Sequence, residues 1–371
     1  MQGMRVKLAL STLCESPDRK TGLSTFFPEF VAAARRAFPE VSWLVFAGES
    51  APWADGDPDV EVCRTFPSNE RTLARLAADH LRVAPEARRR GARALFTVGF
   101  HPLRDGGLPV GMQVVALAGS LPGGGLRQAY RRWGLSRGLS RSAVVFTNSA
   151  WSRSQVGNAR APVIVSPEGV RHDLFTPHGA RGVEGCGDRY LAWASNFYDY
   201  KRAELALEAY AGLPGAVRGS MPFVLCGGDW NGGRLRAERA AARLGISGQV
   251  RFLGWLPDER LPAFLRGAYA HVLSTECETF GRSVLDAMAC GCPSVVQDLP
   301  VLREVAGESA VFTDFSSRSA ATEALARLCA DEAGRDRLGA AAAARALLFS
   351  YDRLARERVG AVLRAIGAAP P

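Results

Sequence analysis

The stretch "TECETFGRSVLDAMACGCPSVV", residues 275–296, decides the fold of this chain. It follows an apolar strand and consists of a loop and then a helix that begins near Arg282 and is stopped by Gly291. The backbone amides at the start of such a helix, here those of Arg282, Ser283 and Val284, form a binding site for an anion.

Two acids flank this helix start. Glu278 precedes it in the loop, and Asp286 lies one turn into the helix. Amides that bind phosphate, next to carboxylates that accept hydrogen bonds from hydroxyls, predict a ligand that carries both groups, such as a nucleotide sugar. The alternative is a solvated loop acid beside an acid that complements the helix dipole.

Strand and helix patterns alternate along the whole chain. Short β-rich runs occur at 5–10, 43–48, 94–99, 113–119, 143–148 and 162–167, and again at 190–195, 223–227, 250–254, 270–275, 293–297 and 309–314. The two series are joined by the Gly-rich segment 176–189. This order predicts two doubly wound α/β domains with ligands at the carboxyl ends of the strands, in a cleft between the domains.

Composition excludes several classes of protein. The 371 residues carry a net charge of +9. Arginine supplies nearly all of the positive residues, which is typical of GC-rich genomes. No aromatic nucleic-acid module accompanies these arginines. No apolar run is long enough to span a bilayer, and we interpret the N-terminus as a first strand. The spacing of the eight cysteines predicts reduced thiols without a disulfide framework or zinc site, and hence a cytoplasmic protein.

The segment 126–142, "LRQAYRRWGLSRGLSRS", has two interpretations. It can form a basic helix with Leu126, Tyr130 and Trp133 on one side, which would suit an anionic membrane surface. The alternative is a helix packed on its own sheet with solvated arginines.

Four ordered segments carry a family resemblance. They are "VSPEGVRHDLFTP" (165–177), "VRFLGWLPDERLPAFLRGAYAHVLST" (250–275), "TECETFGRSVLDAMACGCPSVVQDLPVLREVAGESAVFTD" (275–314) and "FSYDRLARERVGAVLRAI" (349–366). Together they resemble the retaining GT-B glycosyltransferases of family 4, also called glycosyl transferases group 1. Before residue 163 the resemblance is weaker and rests on "KTGLSTFF" (20–27) and "VVFTNSAWSRSQV" (144–156).

The resemblance implies a GT-B fold, in which two Rossmann-like domains face a central cleft. We expect an acceptor-binding domain at 1–175, a nucleotide-sugar-binding domain at 176–348, and a helix at 349–371 that crosses back to the first domain.

The resemblance also implies a donor site. Glu278 matches the acid that contacts the sugar hydroxyls, Lys201 the lysine that neutralises the diphosphate, and Asp286 the acid that binds the ribose, where the family usually has Glu. The full set of implied donor-binding residues is Gly22, Asn196, Lys201, Leu256, Glu278, Thr279, Phe280, Gly281, Ser283, Val284 and Asp286.

The chain departs from the family pattern at three positions. Asn196 stands where an arginine is common, Asp286 replaces Glu, and Ala118 stands where many members have a histidine. His101, in "GFHPLR", is the nearest alternative histidine and completes the predicted catalytic set with Glu278 and Lys201.

The implied function is retaining transfer of a hexosyl group from a nucleotide sugar, with a UDP-sugar favoured, to a hydroxyl of a natural product or cyclitol. The alternatives are the same chemistry on a lipid-linked glycan at a membrane surface, through 126–142, and a weakly active nucleotide-sugar-binding protein.

No metal or other cofactor is expected. The sequence "DGDPD" (55–59) has the Asp-x-Asp spacing of some metal sites, but its Gly and Pro indicate a surface turn. The oligomeric state stays open.

Overall fold

The computed structural model describes residues 5–15, 22–48, 51, 53, 56–114, 125–229 and 232–368. The chain divides into two compact units: the first comprises the described residues up to Gly169 and again from Tyr351, and the second comprises Val170–Ser350. Residues 170–175, which the sequence assigns to the first domain, therefore belong to the second unit.

The first unit is built on a seven-stranded parallel sheet. Its strands are β1 (Val6–Ser11), β2 (Val41–Phe46), β3 (Val60–Cys63), β4 (Ala94–Val98), β5 (Val110–Gln113), β6 (Val144–Thr147) and β7 (Val163–Val165). They lie in the order β3-β2-β1-β4-β5-β6-β7. Most of their side chains are buried, as expected of a parallel sheet covered on both faces.

In the described residues between these strands, five α-helices are present: α1 (Gly22–Ala37), α2 (Thr72–Leu81), α3 (Val83–Arg89), α4 (Gly125–Arg141) and α5 (Ala150–Gln155). Two details differ from the sequence prediction. Strand β3 was not predicted from the sequence. The strand predicted at 113–119 instead occupies Val110–Gln113, and residues 115–124 lie outside the described part of the chain.

The second unit is built on a six-stranded parallel sheet. Its strands are β8 (Leu191–Ala194), β9 (Phe223–Cys226), β10 (Val250–Gly254), β11 (Ala270–Leu273), β12 (Ser294–Gln297) and β13 (Val311–Thr313). Their order is β10-β9-β8-β11-β12-β13. The chain thus builds outward from β8 in one direction and then returns to add β11 on the other side, so β8 and β11 form the topological switch point of this sheet.

The described residues of this unit also form eight α-helices: α6 (Ala203–Ala211), α7 (Gly215–Ser220), α8 (Gly233–Arg243), α9 (Leu261–Gly267), α10 (Arg282–Ala289), α11 (Pro300–Ala306), α12 (Arg318–Ala330) and α13 (Glu332–Ala346). Helix α13 was not among the helices predicted from the sequence. Alanine, a strong helix former, fills its second half.

Residues 176–189 pack on the second unit and are not a free linker. Cys186 is fully buried, and the Arg266 guanidinium donates to the carbonyl oxygens of Ala180 at 2.8 Å and Thr176 at 3.1 Å. The Gly-rich composition predicted a segment that only joins the two domains. Instead, long-range hydrogen bonds from Arg266 hold it against the second unit.

The final helix, α14 (Tyr351–Ala365), belongs to the first unit and packs against α1. Arg358 anchors it: this side chain is 2% exposed and donates to Gln113 Oε1 at 2.7 Å and to the Ser166 carbonyl at 2.9 Å. The predicted fold class, two Rossmann-like α/β domains with a C-terminal helix returning to the first, is confirmed.

All eight cysteines are free thiols. Among the described residues, no helix combines the length and the apolar character that crossing a membrane requires.

Candidate functional site

Two loops meet at the switch point of the second sheet. We call residues 195–202, which follow β8, the lysine loop, and residues 274–281, which follow β11, the glutamate loop. Because β8 and β11 are neighbours and parallel, their carboxyl ends lie at the same edge of the sheet. The two loops are also joined directly, since the Glu276 amide donates to the Tyr200 carbonyl at 2.7 Å.

The structure brings together two of the three residues predicted to carry the chemistry, Lys201 and Glu278. Lys201 Nζ forms an ion pair and hydrogen bond with Glu278 Oε1, although the two residues are 77 positions apart in sequence. Their side chains are only 11% and 12% exposed. A pair this well buried is shielded from salt and water, so its geometry is firmly set and its partners are costly to separate.

Helix α10 begins immediately after the glutamate loop. Gly281 takes a positive φ of 102°, and a Cβ there would lie 2.5 Å from Leu302 Cδ2, so this turn requires glycine. The Val284 amide donates to the Gly281 carbonyl at 3.0 Å, so we expect an anion at the Ser283 position rather than at Val284. Ser283 Oγ is buried and has no hydrogen-bond partner among the described residues.

Asp286 lies partly buried one turn into α10. Burial raises the pKa of its carboxyl from 3.8 to about 6; nearby Asp258 adds to the rise, and Arg282 opposes it. A ligand that donates hydrogen bonds to this carboxylate would stabilise its charged form. A raised pKa of this kind is found often at functional sites.

The remaining predicted residues of the second unit lie on the same edge of the sheet or beside α10. Asn196 Oδ1 accepts a hydrogen bond from the Gly228 amide at 2.9 Å and so ties the lysine loop to the loop after β9. Phe280 is 3% exposed and packs edge-on against Phe349, with ring centroids 5.8 Å apart. Leu256 follows β10 and is buried, and Thr279 lies between Glu278 and Phe280 in the glutamate loop.

Sequence reasoning did not assign roles to two tyrosines of the lysine loop. Tyr198 and Tyr200 stack with ring centroids 5.6 Å apart and planes inclined by 8°. Lys201 Nζ lies 5.4 Å from the centroid of the Tyr200 ring, and burial together with Glu278 raises the pKa of the Tyr200 hydroxyl. The run "YDYK" (198–201) was the available signal, because aromatic rings near a cation stabilise it.

The first unit holds the other predicted residues. Gly22 is the first residue of α1. His101 follows β4, is 2% exposed, and its Nδ1 lies 2.9 Å from the Pro102 carbonyl oxygen, to which it can donate. Burial lowers the pKa of His101, which favours the neutral ring. Its catalytic role stays a prediction, and Ala118 lies outside the described residues.

The acids of "DGDPD" are engaged with arginines where the structure describes them. Asp57 Oδ2 pairs with Arg35 at 2.6 Å, and Asp59 pairs with both Arg5 and Arg35. The hydrogen bond from Arg5 holds the pKa of Asp59 below its usual value. Over the described residues, no group of three or more His, Cys, Asp or Glu is arranged to hold a metal ion. Metal independence itself stays a prediction.

The architecture and the site together define a class of protein. A doubly wound parallel sheet with a lysine, a carboxylate and a helix N-terminus at its switch point is typical of domains that bind phosphorylated ligands such as nucleotides. Residues 183–345 match the family model described as Glycosyl transferases group 1. This chain therefore contains a domain of that family, in agreement with the resemblance to glycosyl transferases group 1 found in the sequence.

Curated relatives agree with this assignment. The chain is 27% identical over 248 residues to an Escherichia coli "O-antigen chain mannosyltransferase B", covering 63% of this chain and 64% of that protein. It is 30% identical over 202 residues to a Corynebacterium jeikeium "D-inositol 3-phosphate glycosyltransferase", covering 50% of this chain and 48% of that protein. The chain thus spans about half to two thirds of the length of these relatives.

Solved structures share the fold at low sequence identity. A sucrose-phosphate synthase from Thermosynechococcus elongatus matches with a TM-score of 0.81 and 18% identity, over 98% of this chain and 100% of that one. The Anabaena protein Alr3699/HepE, solved in complex with UDP and glucose, matches with a TM-score of 0.71 and 17% identity, over 95% and 98% of the two chains. These similarities support the GT-B fold.

Proposed function

We propose that this chain is a retaining glycosyltransferase of family 4 that transfers a hexosyl group from a nucleotide sugar to an acceptor hydroxyl without a metal ion. A UDP-sugar is the favoured donor, and a natural product or cyclitol is the favoured acceptor. The donor preference is supported by the Anabaena structure with UDP and glucose, and the acceptor preference by the relatives named for D-inositol 3-phosphate.

One observation carries the proposal: the Lys201–Glu278 pair lies in the two switch-point loops, and the glutamate loop leads directly into α10 and the Ser283 hydroxyl, which has no partner in the described part of the chain. A cation and a donor-rich helix start can neutralise a diphosphate. A carboxylate beside them can accept hydrogen bonds from sugar hydroxyls. A solvated ion pair would explain neither its burial nor its place at the switch point.

In the proposed reaction, the bond between the anomeric carbon and the diphosphate oxygen breaks, and its electron pair stays on the diphosphate. Lys201 and the start of α10 stabilise the charge that builds there, as preorganised electrostatic groups do. The acceptor oxygen forms its bond to the anomeric carbon on the same face, and its proton goes to the departing diphosphate. Glu278 stabilises the positive charge on the sugar.

The pairing of Lys201 with Glu278 fits this scheme. Each side chain compensates the charge of the other, so neither is an unpaired buried charge. When a donor binds, its diphosphate would take over Lys201, and its sugar hydroxyls would take over Glu278. The exchange keeps both charges compensated.

A thermal-shift screen of nucleoside diphosphates and their sugars, followed by product detection with candidate acceptors, tests the proposal. A ligand at about 100 times its Kd should stabilise the fold by about 2.7 kcal/mol. Lys201→Ala should abolish most of that shift. Lys7→Ala is the matched control, because Lys7 also pairs with a glutamate, Glu61 at 2.9 Å, but lies in the first unit. If no nucleotide raised the Tm of the wild type, the proposal would be rejected.

One observation favours the membrane alternative. On α4, Leu126 is 91% exposed and Trp133 is 41% exposed, and Arg132, the neighbour of Trp133 in sequence, is exposed as well. An apolar face with basic residues is suited to an anionic lipid surface. Co-sedimentation with anionic liposomes would support an acceptor held at a membrane, and Trp133→Ser with Leu126→Ser should then abolish it. Hydrolysis or transfer of the donor by the wild type would exclude a protein that only binds nucleotide sugars.

A further inference from the structure

A buried hydroxyl of the glutamate loop holds the backbone of the lysine loop. Ser274 is 1% exposed, and its Oγ lies 2.6 Å from the Arg202 carbonyl oxygen and 3.3 Å from the Lys201 carbonyl oxygen. A serine hydroxyl has one proton to donate, and the shorter distance assigns it to Arg202. This hydrogen bond crosses 72 positions of sequence and ends on the residue next to Lys201.

Arg202 has an unusual backbone conformation. Its φ of 49° and ψ of 48° lie in the left-handed region, and it is the one non-glycine residue with positive φ in the described part of the chain. A side chain disfavours this conformation, so neighbouring contacts must hold it. Besides the Ser274 hydrogen bond, these contacts include ion pairs from the Arg202 guanidinium to Glu204 at 2.9 Å and Glu276 at 2.8 Å.

The left-handed residue lies between the turn that carries Lys201 and helix α6. Arg202 ends the 3-10 turn Asp199–Lys201 and begins α6, and the Leu205 amide donates to its carbonyl at 3.0 Å. The Ser274 hydroxyl is therefore a second donor to a carbonyl that already closes the first turn of a helix. Rotation of Arg202 towards the right-handed region would break both bonds and move Lys201.

We propose that Ser274 is a positioning residue for Lys201, and that it acts by holding Arg202 in the left-handed conformation. The inference rests on the proposed function, in which Lys201 binds the donor diphosphate. Ser274 itself does not touch the donor in this scheme. It keeps the lysine loop in the conformation in which Lys201 Nζ faces the site that Glu278 occupies.

A double-mutant cycle on nucleoside diphosphate affinity tests the proposal. Using the nucleoside diphosphate that binds the wild type most tightly, Ser274→Ala should weaken binding about three- to tenfold, the effect of one lost hydrogen bond. In the Lys201→Ala background the same change should have no further effect, because Ser274 acts through Lys201. Ser274→Thr keeps the hydroxyl and should restore most of the affinity. Ser274→Cys, which keeps the size with a weak donor, should behave as Ser274→Ala and replaces it if that variant does not fold.

Ser309→Ala is the matched control. Ser309 is 4% exposed, and its hydroxyl donates to the Ala306 carbonyl at 2.6 Å, away from both loops. It should lower thermal stability about as much as Ser274→Ala and leave nucleotide affinity unchanged. Equal affinity in the wild type and Ser274→Ala, or the same loss with and without Lys201, would overturn the inference while the proposed function stands. A wild type that binds no nucleoside diphosphate would overturn both.

Discussion

Replacing Asp286 by asparagine should stabilise the ligand-free protein, because the fold holds this carboxyl where its charge is disfavoured. Its pKa rises from 3.8 to about 6 through burial and the neighbouring Asp258. At about 1.4 kcal/mol per pH unit, this difference corresponds to about 3 kcal/mol. Between about pH 4 and pH 6 the folded chain keeps a proton that the unfolded chain has lost, so stability falls as the pH rises through this window and is then level.

Urea unfolding of the wild type and Asp286→Asn at two pH values, one above and one within this window, measures the difference in stability. Asparagine carries no titratable charge, so the variant should be more stable by about 3 kcal/mol near pH 7.5 but by only about 1 kcal/mol near pH 4.5. Asp188→Asn is the control, because Asp188 is an exposed acid of the same unit and its replacement should change stability by less than about 0.5 kcal/mol.

The same variant should bind nucleotides less well. If Asp286 accepts hydrogen bonds from the ribose, its loss should weaken free nucleoside diphosphate by about 1.5–3 kcal/mol and raise the donor KM. Asp286→Glu keeps the charge and should be tolerated. A gain in stability that does not change with pH, or no gain near pH 7.5, would show that Asp286 is well solvated and refute the reasoning.

Four further outcomes are expected. Lys201→Ala should weaken nucleoside diphosphate binding by about 1.5–3 kcal/mol, measured by calorimetry, and an unchanged Kd would remove Lys201 from the site. Glu278→Gln keeps the shape of the side chain and should lower kcat about 10²–10³-fold with little change in nucleoside diphosphate affinity; an equal loss of affinity in the Glu278 and Asp286 variants would contradict their separate roles. Ser283→Ala should leave the unfolding free energy nearly unchanged, because its hydroxyl has no partner among the described residues, yet weaken diphosphate binding; a loss of stability alone would argue for a structural role. EDTA should leave transfer intact, and a loss restored by manganese would revive a metal site.

The central elements of the second unit follow from local sequence. The run "AHVLST" predicts a buried strand, and the structure has β11 at Ala270–Leu273. The helix predicted between Arg282 and Gly291 is α10 at Arg282–Ala289. These predictions hold because apolar periodicity and glycine at a helix end act over a few residues, within the reach of a sequence pattern.

The resemblance to a family extended this reasoning to residues far apart. It named Lys201 and Glu278 for one site, and the structure pairs them across 77 positions. It gave no sign that Val284 would use its amide within the helix, or that Ser283 would have a buried hydroxyl without a partner among the described residues. Such details depend on how each loop closes, which family position alone does not specify.

The amino-acid sequence by itself determined the alternation of strands and helices, the two domains and the family, because these are written in patterns of neighbouring residues. Only the tertiary structure decided the raised pKa of Asp286, the left-handed Arg202 held by Ser274, and the packing of residues 176–189 on the second unit. Each of these arises from burial or from a hydrogen bond between distant segments. A group loses its solvent and meets its distant partners only once the chain has folded. A local sequence pattern therefore cannot predict these features.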